Sequence, residues 1–272
     1  MVHLEKKSQS VFSVFADRRA VIMLFLGFSA GIPILLIFSS LSLWLGEAGV
    51  ERKAVTFFSW AALGYSFKFV WAPLVDEIPL PWFSRVLGRR RSWLLLAQLL
   101  IITAIGMMAL TDPAQGGTAL TQMALAAVLL GFAAATQDIV IDAYRIELAP
   151  VAALQAALSA TYNAGYRLGM IVAGAGALYL ASLLGSEKGH YLYSAWQTTY
   201  AMMAAAMLVG VITTLVIREP SVARTSQAWS AGDYARLVGV FVLMVLVAAL
   251  AAALAVLQDA PALAFIGATG GF

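Results

Sequence analysis

MALAAVLLGFAAATQDIVIDAYR, residues 123–145, decides the fold, because it reads as a membrane-crossing helix that ends in charge. From Met123 to Gln137 no side chain is charged. At about 1.5 Å of rise per residue the stretch is long enough to span about 30 Å of hydrocarbon. Asp138 and Asp142 then appear inside the apolar run. Two neighbouring stretches repeat the pattern: TFFSWAALGYSFKFVWAPL (56–74) holds Lys68, and ALSATYNAGYRLGMIVAGAGALYL (157–180) holds Arg167. A charge at the centre of a membrane helix costs roughly 2.5–3.5 kcal/mol on insertion scales. Such charges persist only where they pair or face water, which makes them the first candidates for function.

The rest of the composition agrees. The chain has 272 residues, of which 62% are hydrophobic and 11% charged. A soluble domain carries about 25% charged residues, so the chain reads as a polytopic membrane protein. Cysteine is absent, which excludes disulfides, thiolate chemistry and cysteine-bound metal. His3 and His190 are the only histidines and both fall outside the spans, so no histidine metal cluster or metal cofactor is expected. The net charge of +3 is explained by basic loops on one side of the membrane, and nucleic acid is not needed to account for it.

Working outward, six apolar stretches predict spans over roughly 20–45, 54–75, 92–111, 119–143, 153–184 and 191–217, and a seventh over 236–257. The connections alternate in charge. Lys6, Lys7, Arg18 and Arg19 precede the first span, Arg85 and Arg89–Arg91 lie between the second and third, and Arg218, Arg224 and Arg236 follow the sixth. This asymmetry predicts a cytoplasmic N-terminus. The expected organisation is a cytoplasmic segment (1–19), a six-helix half (20–217), a cytoplasmic linker (218–235), an extra helix (236–257) and a tail (258–272) that reads as truncated. GFSAGIP, residues 27–33, combines two glycines with Pro33 and predicts a bend in the first span.

Four constellations carry chemistry. Asp76, Gly88, Arg89, Arg90 and Arg91 frame the loop between the second and third spans, as either a cytoplasmic gate or a cluster that only fixes orientation. Asp138 and Asp142 are four apart and share one helical face. Two carboxylates close together in a low dielectric resist simultaneous ionisation, which is what a proton-coupling site requires. The alternative is that each pairs with a cation. Asp142, three residues from Arg145, is expected beside the Arg89–Arg91 cluster as part of the latch, with Asp138 one turn deeper in the pathway. Lys68 and Arg167 each need an anion, supplied by Asp138 or by substrate. Lys68 could instead snorkel to the surface. Tyr65, Gln137, Asn163 and Tyr166 lie beside these charges and would suit a sugar- or peptide-containing ligand.

GFSAGIP, YSFKFVWAPLVD, LGRRRSWLL, TQDIVIDAYR and GYRLGM occur in that order across roughly residues 20–220. Together they resemble the AmpG-type muropeptide permeases, a branch of the major facilitator superfamily. The resemblance covers the N-terminal half of that fold, which has two six-helix halves around a central cavity. It implies proton-driven import of N-acetylglucosaminyl-anhydro-N-acetylmuramyl peptides across a bacterial inner membrane. That import is a step of peptidoglycan recycling, tied in some bacteria to β-lactamase induction. The partners implied are an anionic glycopeptide, protons, the lipid bilayer and a C-terminal half. Acetyl-CoA transporters share a similar fourth-span motif and supply the alternative cargo. A non-transporting half is the third reading. No nucleophile–base pair, metal cluster or phosphate loop is visible, so an enzyme is not expected.

Overall fold

The structure, a computed structural model, describes residues 17–50, 65–80, 83–149 and 151–220, with residues 230, 232, 235, 236 and 239. The described residues are almost wholly helical. Five helices are long and apolar enough to cross a membrane: α1 (Arg18–Glu47), α3 (Arg89–Ala109), α4 (Gly117–Leu148), α5 (Ala152–Leu183) and α6 (Tyr193–Val216). A shorter helix, α2 (Ala72–Glu77), ends the second predicted span. The all-α membrane fold expected from the sequence is therefore present. The first half of the second span, residues 54–64, lies outside the described residues, as does the seventh apart from residues 236 and 239. The chain divides into two compact units, Met1–Val222 and Ala223–Phe272, and the first contains all five of these helices.

α1 and α4 are longer than the hydropathy suggests because they run on into their polar ends, whereas α6 is slightly shorter than its apolar stretch. Asp17 caps α1 by accepting from the Arg19 amide at 2.8 Å, which starts the helix ahead of its apolar stretch. Just past Pro33, where the sequence predicts a bend, α1 carries a π-turn over Leu36–Ser40. A second π-turn, Val172–Gly176, interrupts α5. The extra residue in each frees backbone carbonyls from the helical ladder. The Tyr200 hydroxyl donates to the Leu36 carbonyl at 3.0 Å, and the Ser40 hydroxyl donates to the Ala173 carbonyl at 2.7 Å. The second of these bonds ties the two interruptions together across the α1–α5 contact.

That contact is the tightest in the bundle. Gly27 and Gly31 of α1 face Gly165 and Gly169 of α5. A Cβ on Gly165 would lie 1.9 Å from the Leu24 carbonyl oxygen, and one on Gly31 would lie 2.0 Å from that of Tyr166. Backbone packs directly on backbone, as small residues permit in membrane helices. Opposite the arginine loop, Trp44 and Trp196 stack with centroids 5.6 Å apart. Glu47 there accepts from the Trp196 indole at 2.7 Å and the Ser186 hydroxyl at 2.6 Å. The Tyr191 hydroxyl donates to Asp112 at 2.6 Å, closing that end.

Candidate functional site

Two charge clusters occupy different depths of the bundle. The deeper one centres on Asp138, ten residues before the end of α4 and so about 15 Å from it at the helical rise. Lys68 Nζ lies 3.9 Å from the Asp138 carboxylate, and the Tyr162 hydroxyl of α5 donates to it at 3.3 Å. Lys68 reaches Asp138 from an irregular segment. Residues Lys68–Val70 form a 3₁₀ turn before α2 begins, where the sequence predicts an unbroken helix. Trp71 anchors the turn: its indole donates to Thr136 at 3.2 Å and its ring stacks on Phe132 at 4.6 Å. Lys68 therefore spends its charge on Asp138 rather than snorkelling away.

Around this pair sit polar groups without partners. Gln137 is fully buried, and neither its amide nitrogen nor its oxygen has a hydrogen bond among the described residues. The buried Tyr65 hydroxyl is likewise unpartnered among them. Leaving such a group unsatisfied costs about 1–3 kcal/mol, so each calls for an explanation. Tyr166 packs beside Tyr162 at 6.0 Å. Arg167 and Asn163 do not join the pair. Both are exposed on α5, and the Arg167 side chain has no ion pair among the described residues. An arginine at mid-span cannot be left to lipid, so this face of α5 belongs to water or to another protein surface.

The shallower cluster gathers the ends of α2, α3, α4 and α6. Arg90, only 3% exposed, pairs with the Asp76 carboxylate and with Glu147 at 2.7 Å. Arg89 donates to the Asp76 carbonyl and approaches Glu147 at 3.6 Å. Glu219, just past α6, accepts from the backbone amides of Arg90 at 2.8 Å and Arg91 at 3.1 Å. That carboxylate caps the N-terminus of α3, where helix amides and dipole favour an anion. Arg91 reciprocates by donating to the Thr214 and Leu215 carbonyls at the end of α6, at 3.0 and 2.7 Å. Gly88 is required here twice over. Its φ is +88°, and a Cβ would lie 2.5 Å from the Glu219 side chain.

Asp142 stands apart from this network. It pairs with Arg145 at 2.9 Å, not with Arg89–Arg91 as expected, because three residues of helix bring the two together on one face of α4. The Arg145 guanidinium in turn lies 5.6 Å over the Tyr162 ring. Tyr162 thus touches both the deep pair and the Asp142–Arg145 pair. Sequence reasoning passes over Glu147 and Glu219. Both sit at helix ends, where polar residues are ordinary, and only REP at 218–220 following an apolar span hints at a cap.

Both clusters fall within a region shared with known proteins. Residues 20–219 match the family model described as acetyl-coenzyme A transporter 1. The anhydromuropeptide permease of Escherichia coli strain K12 is 39% identical over 214 residues, covering 79% of this chain and 40% of the relative. Putative transporter AmpG 4 of Rickettsia felis is 36% identical over 214 residues, covering 79% of this chain and 49% of the relative. The chain thus spans less than half the length of these two curated relatives. The matched region contains all five membrane-crossing helices except the first two residues of α1. The relatives are permeases and transporters, not enzymes, and the chain belongs with them to the acetyl-coenzyme A transporter family, among its AmpG-type members.

Proposed function

We propose that the chain is one wall of a proton-coupled importer of anhydromuropeptides, working in a bacterial inner membrane with its N-terminus in the cytoplasm. The observation that carries this reading is the Lys68–Asp138 pair, held in mid-span beside the unpartnered Gln137 and Tyr65. Lys68 and Arg167 receive substrate carboxylates. Tyr65, Gln137, Asn163 and Tyr166 bond its sugar and peptide groups. Asp138 takes up the proton when a substrate carboxylate displaces it from Lys68, and Asp142 serves as the second carboxylate of the coupling path. Asp76, Gly88, Arg89, Arg90, Arg91, Asp142 and Arg145 form the cytoplasmic gate, joined by Glu147 and Glu219. A second bundle supplies the opposite wall, in keeping with the greater length of the relatives, and delivery of muropeptides feeds peptidoglycan recycling.

The test is uptake into cells expressing the chain together with the C-terminal half of the Escherichia coli relative. Labelled anhydromuropeptide should enter and acetyl-CoA should not, although the family model's description keeps acetyl-CoA as the competing cargo. A protonophore should stop entry. Asp138→Asn should insert normally and lose at least tenfold of the proton-driven rate, consistent with removing a proton-transfer group worth about 10²-fold or more. Undiminished uptake by that variant would remove Asp138 from coupling, and preferential entry of acetyl-CoA would replace the cargo.

A further inference from the structure

A cavity of about 330 Å³ opens at the arginine-loop end of the bundle, away from the Asp138 site. It is lined by Arg18, Arg19, Tyr144, Glu147, Arg218 and Glu219, with apolar residues between them. Three spans end around it. Arg18 is the first residue of α1, Leu148 the last of α4, and Arg218 lies two residues beyond Val216 of α6. These ends meet through hydrogen bonds: Arg19 donates to the Leu148 carbonyl at 3.2 Å, and the Tyr144 hydroxyl to the Arg218 carbonyl at 3.1 Å. The cavity is therefore built by packed elements and sits at the depth of lipid headgroups.

Its charges are unevenly committed. Glu147 is held by Arg89 and Arg90, and Glu219 by the two α3 amides. Arg19 pairs with Asp17 at 2.8 Å. Arg18 and Arg218 remain: both line the cavity, and neither side chain has an ion pair or hydrogen bond among the described residues. Two guanidinium groups with free donors, lining one cavity, form a receptor for a tetrahedral oxyanion. Basic pockets between membrane helices on the cytoplasmic side bind anionic headgroups by this logic. We propose that this cavity binds a phosphate group, presented by an anionic phospholipid or by a soluble phosphate, with Arg18 and Arg218 as its ligands.

Native mass spectrometry of the full chain in detergent tests this, with phosphatidylglycerol, phosphatidylcholine or inorganic phosphate added in separate arms. Retention of phosphatidylglycerol over phosphatidylcholine assigns a lipid source; displacement of that lipid by millimolar inorganic phosphate assigns a soluble one. In either case Arg18→Gln with Arg218→Gln should weaken binding on the order of 20-fold. Arg18→Lys with Arg218→Lys should recover part of it. Arg85→Gln, which removes a basic residue of the same loop end but outside the cavity, should change nothing. Circular dichroism confirms that each variant remains helical. Equal binding by the wild type and the double glutamine variant, or an equal loss in Arg85→Gln, overturns the site. So does the absence of both ligands from the wild type.

Discussion

Arg167 and Asp138 are both charges in mid-span, yet their surroundings differ in kind. Asp138 is buried and met by Lys68 and Tyr162, so its substitution touches structure as well as chemistry. Arg167 is exposed and has no ion pair among the described residues, so within this bundle its removal breaks nothing. Arg167→Gln should therefore leave the thermal stability of the purified chain within about 0.5 kcal/mol, the usual range for surface substitutions. In the uptake assay it should lower the rate by roughly 10–100-fold, the equivalent of one charge-assisted hydrogen bond of about 1.5–3 kcal/mol. Measuring both quantities on the same variant separates the roles. A large loss of stability with unchanged uptake would make Arg167 a packing residue. Lys68, Asp138 and Arg167 are legible in the sequence because a charge has no ordinary place in an apolar run. Their partners are not, since pairing depends on which helix faces cross; Asp142, expected among the loop arginines, instead turns to Arg145 on its own helix.

Among the described residues the membrane-crossing helices follow the sequence closely in place and less closely in shape. Hydropathy finds each of the five membrane-crossing helices within a few residues, because about 20 apolar residues have few other uses. It is silent on the π-turns at Leu36–Ser40 and Val172–Gly176 and on the 3₁₀ turn at Lys68, which arise from tertiary partners rather than composition. The glycine crossing of α1 and α5 lies between these cases. GFSAGIP and GYRLGM each show a small residue every fourth position, but only the structure shows that they meet. Gly165→Leu should force α1 and α5 apart and destabilise the chain by about 1–3 kcal/mol, as overpacking does. Gly106→Ala, on α3 with nothing within 4 Å of its Cβ position, should not lower stability. Temperature-dependent loss of the monodisperse species in detergent measures both. Equal tolerance at the two positions would mean that the α1–α5 backbone contact is not close in the protein.

At the scale of the whole bundle, polar networks tie the helices at both ends and leave a polar, partly unsatisfied zone between them. Glu47, Trp196, Ser186, Tyr191 and Asp112 bind one end. Asp76, Arg89, Arg90, Arg91, Glu147 and Glu219 bind the other. If the second network holds four helix ends together, its members must matter more than a surface pair of similar appearance. Glu147 and Asp142 offer that comparison, since both are acidic residues in the last turns of α4. Glu147 meets an arginine that is 3% exposed, whereas Asp142 is 44% exposed and pairs along its own helix. Glu147→Ala should destabilise the chain by about 1.5–3 kcal/mol, the range for hydrogen bonds to charged groups. Asp142→Ala should cost about 0–1 kcal/mol, and less at high salt. Urea or thermal unfolding of the two variants in detergent, each at low and high ionic strength, gives the ordering. A larger loss for Asp142→Ala would place the structural latch on the exposed pair. Equal small losses would mean that the four helix ends are held by packing alone, leaving the arginine loop free to open without breaking buried ion pairs.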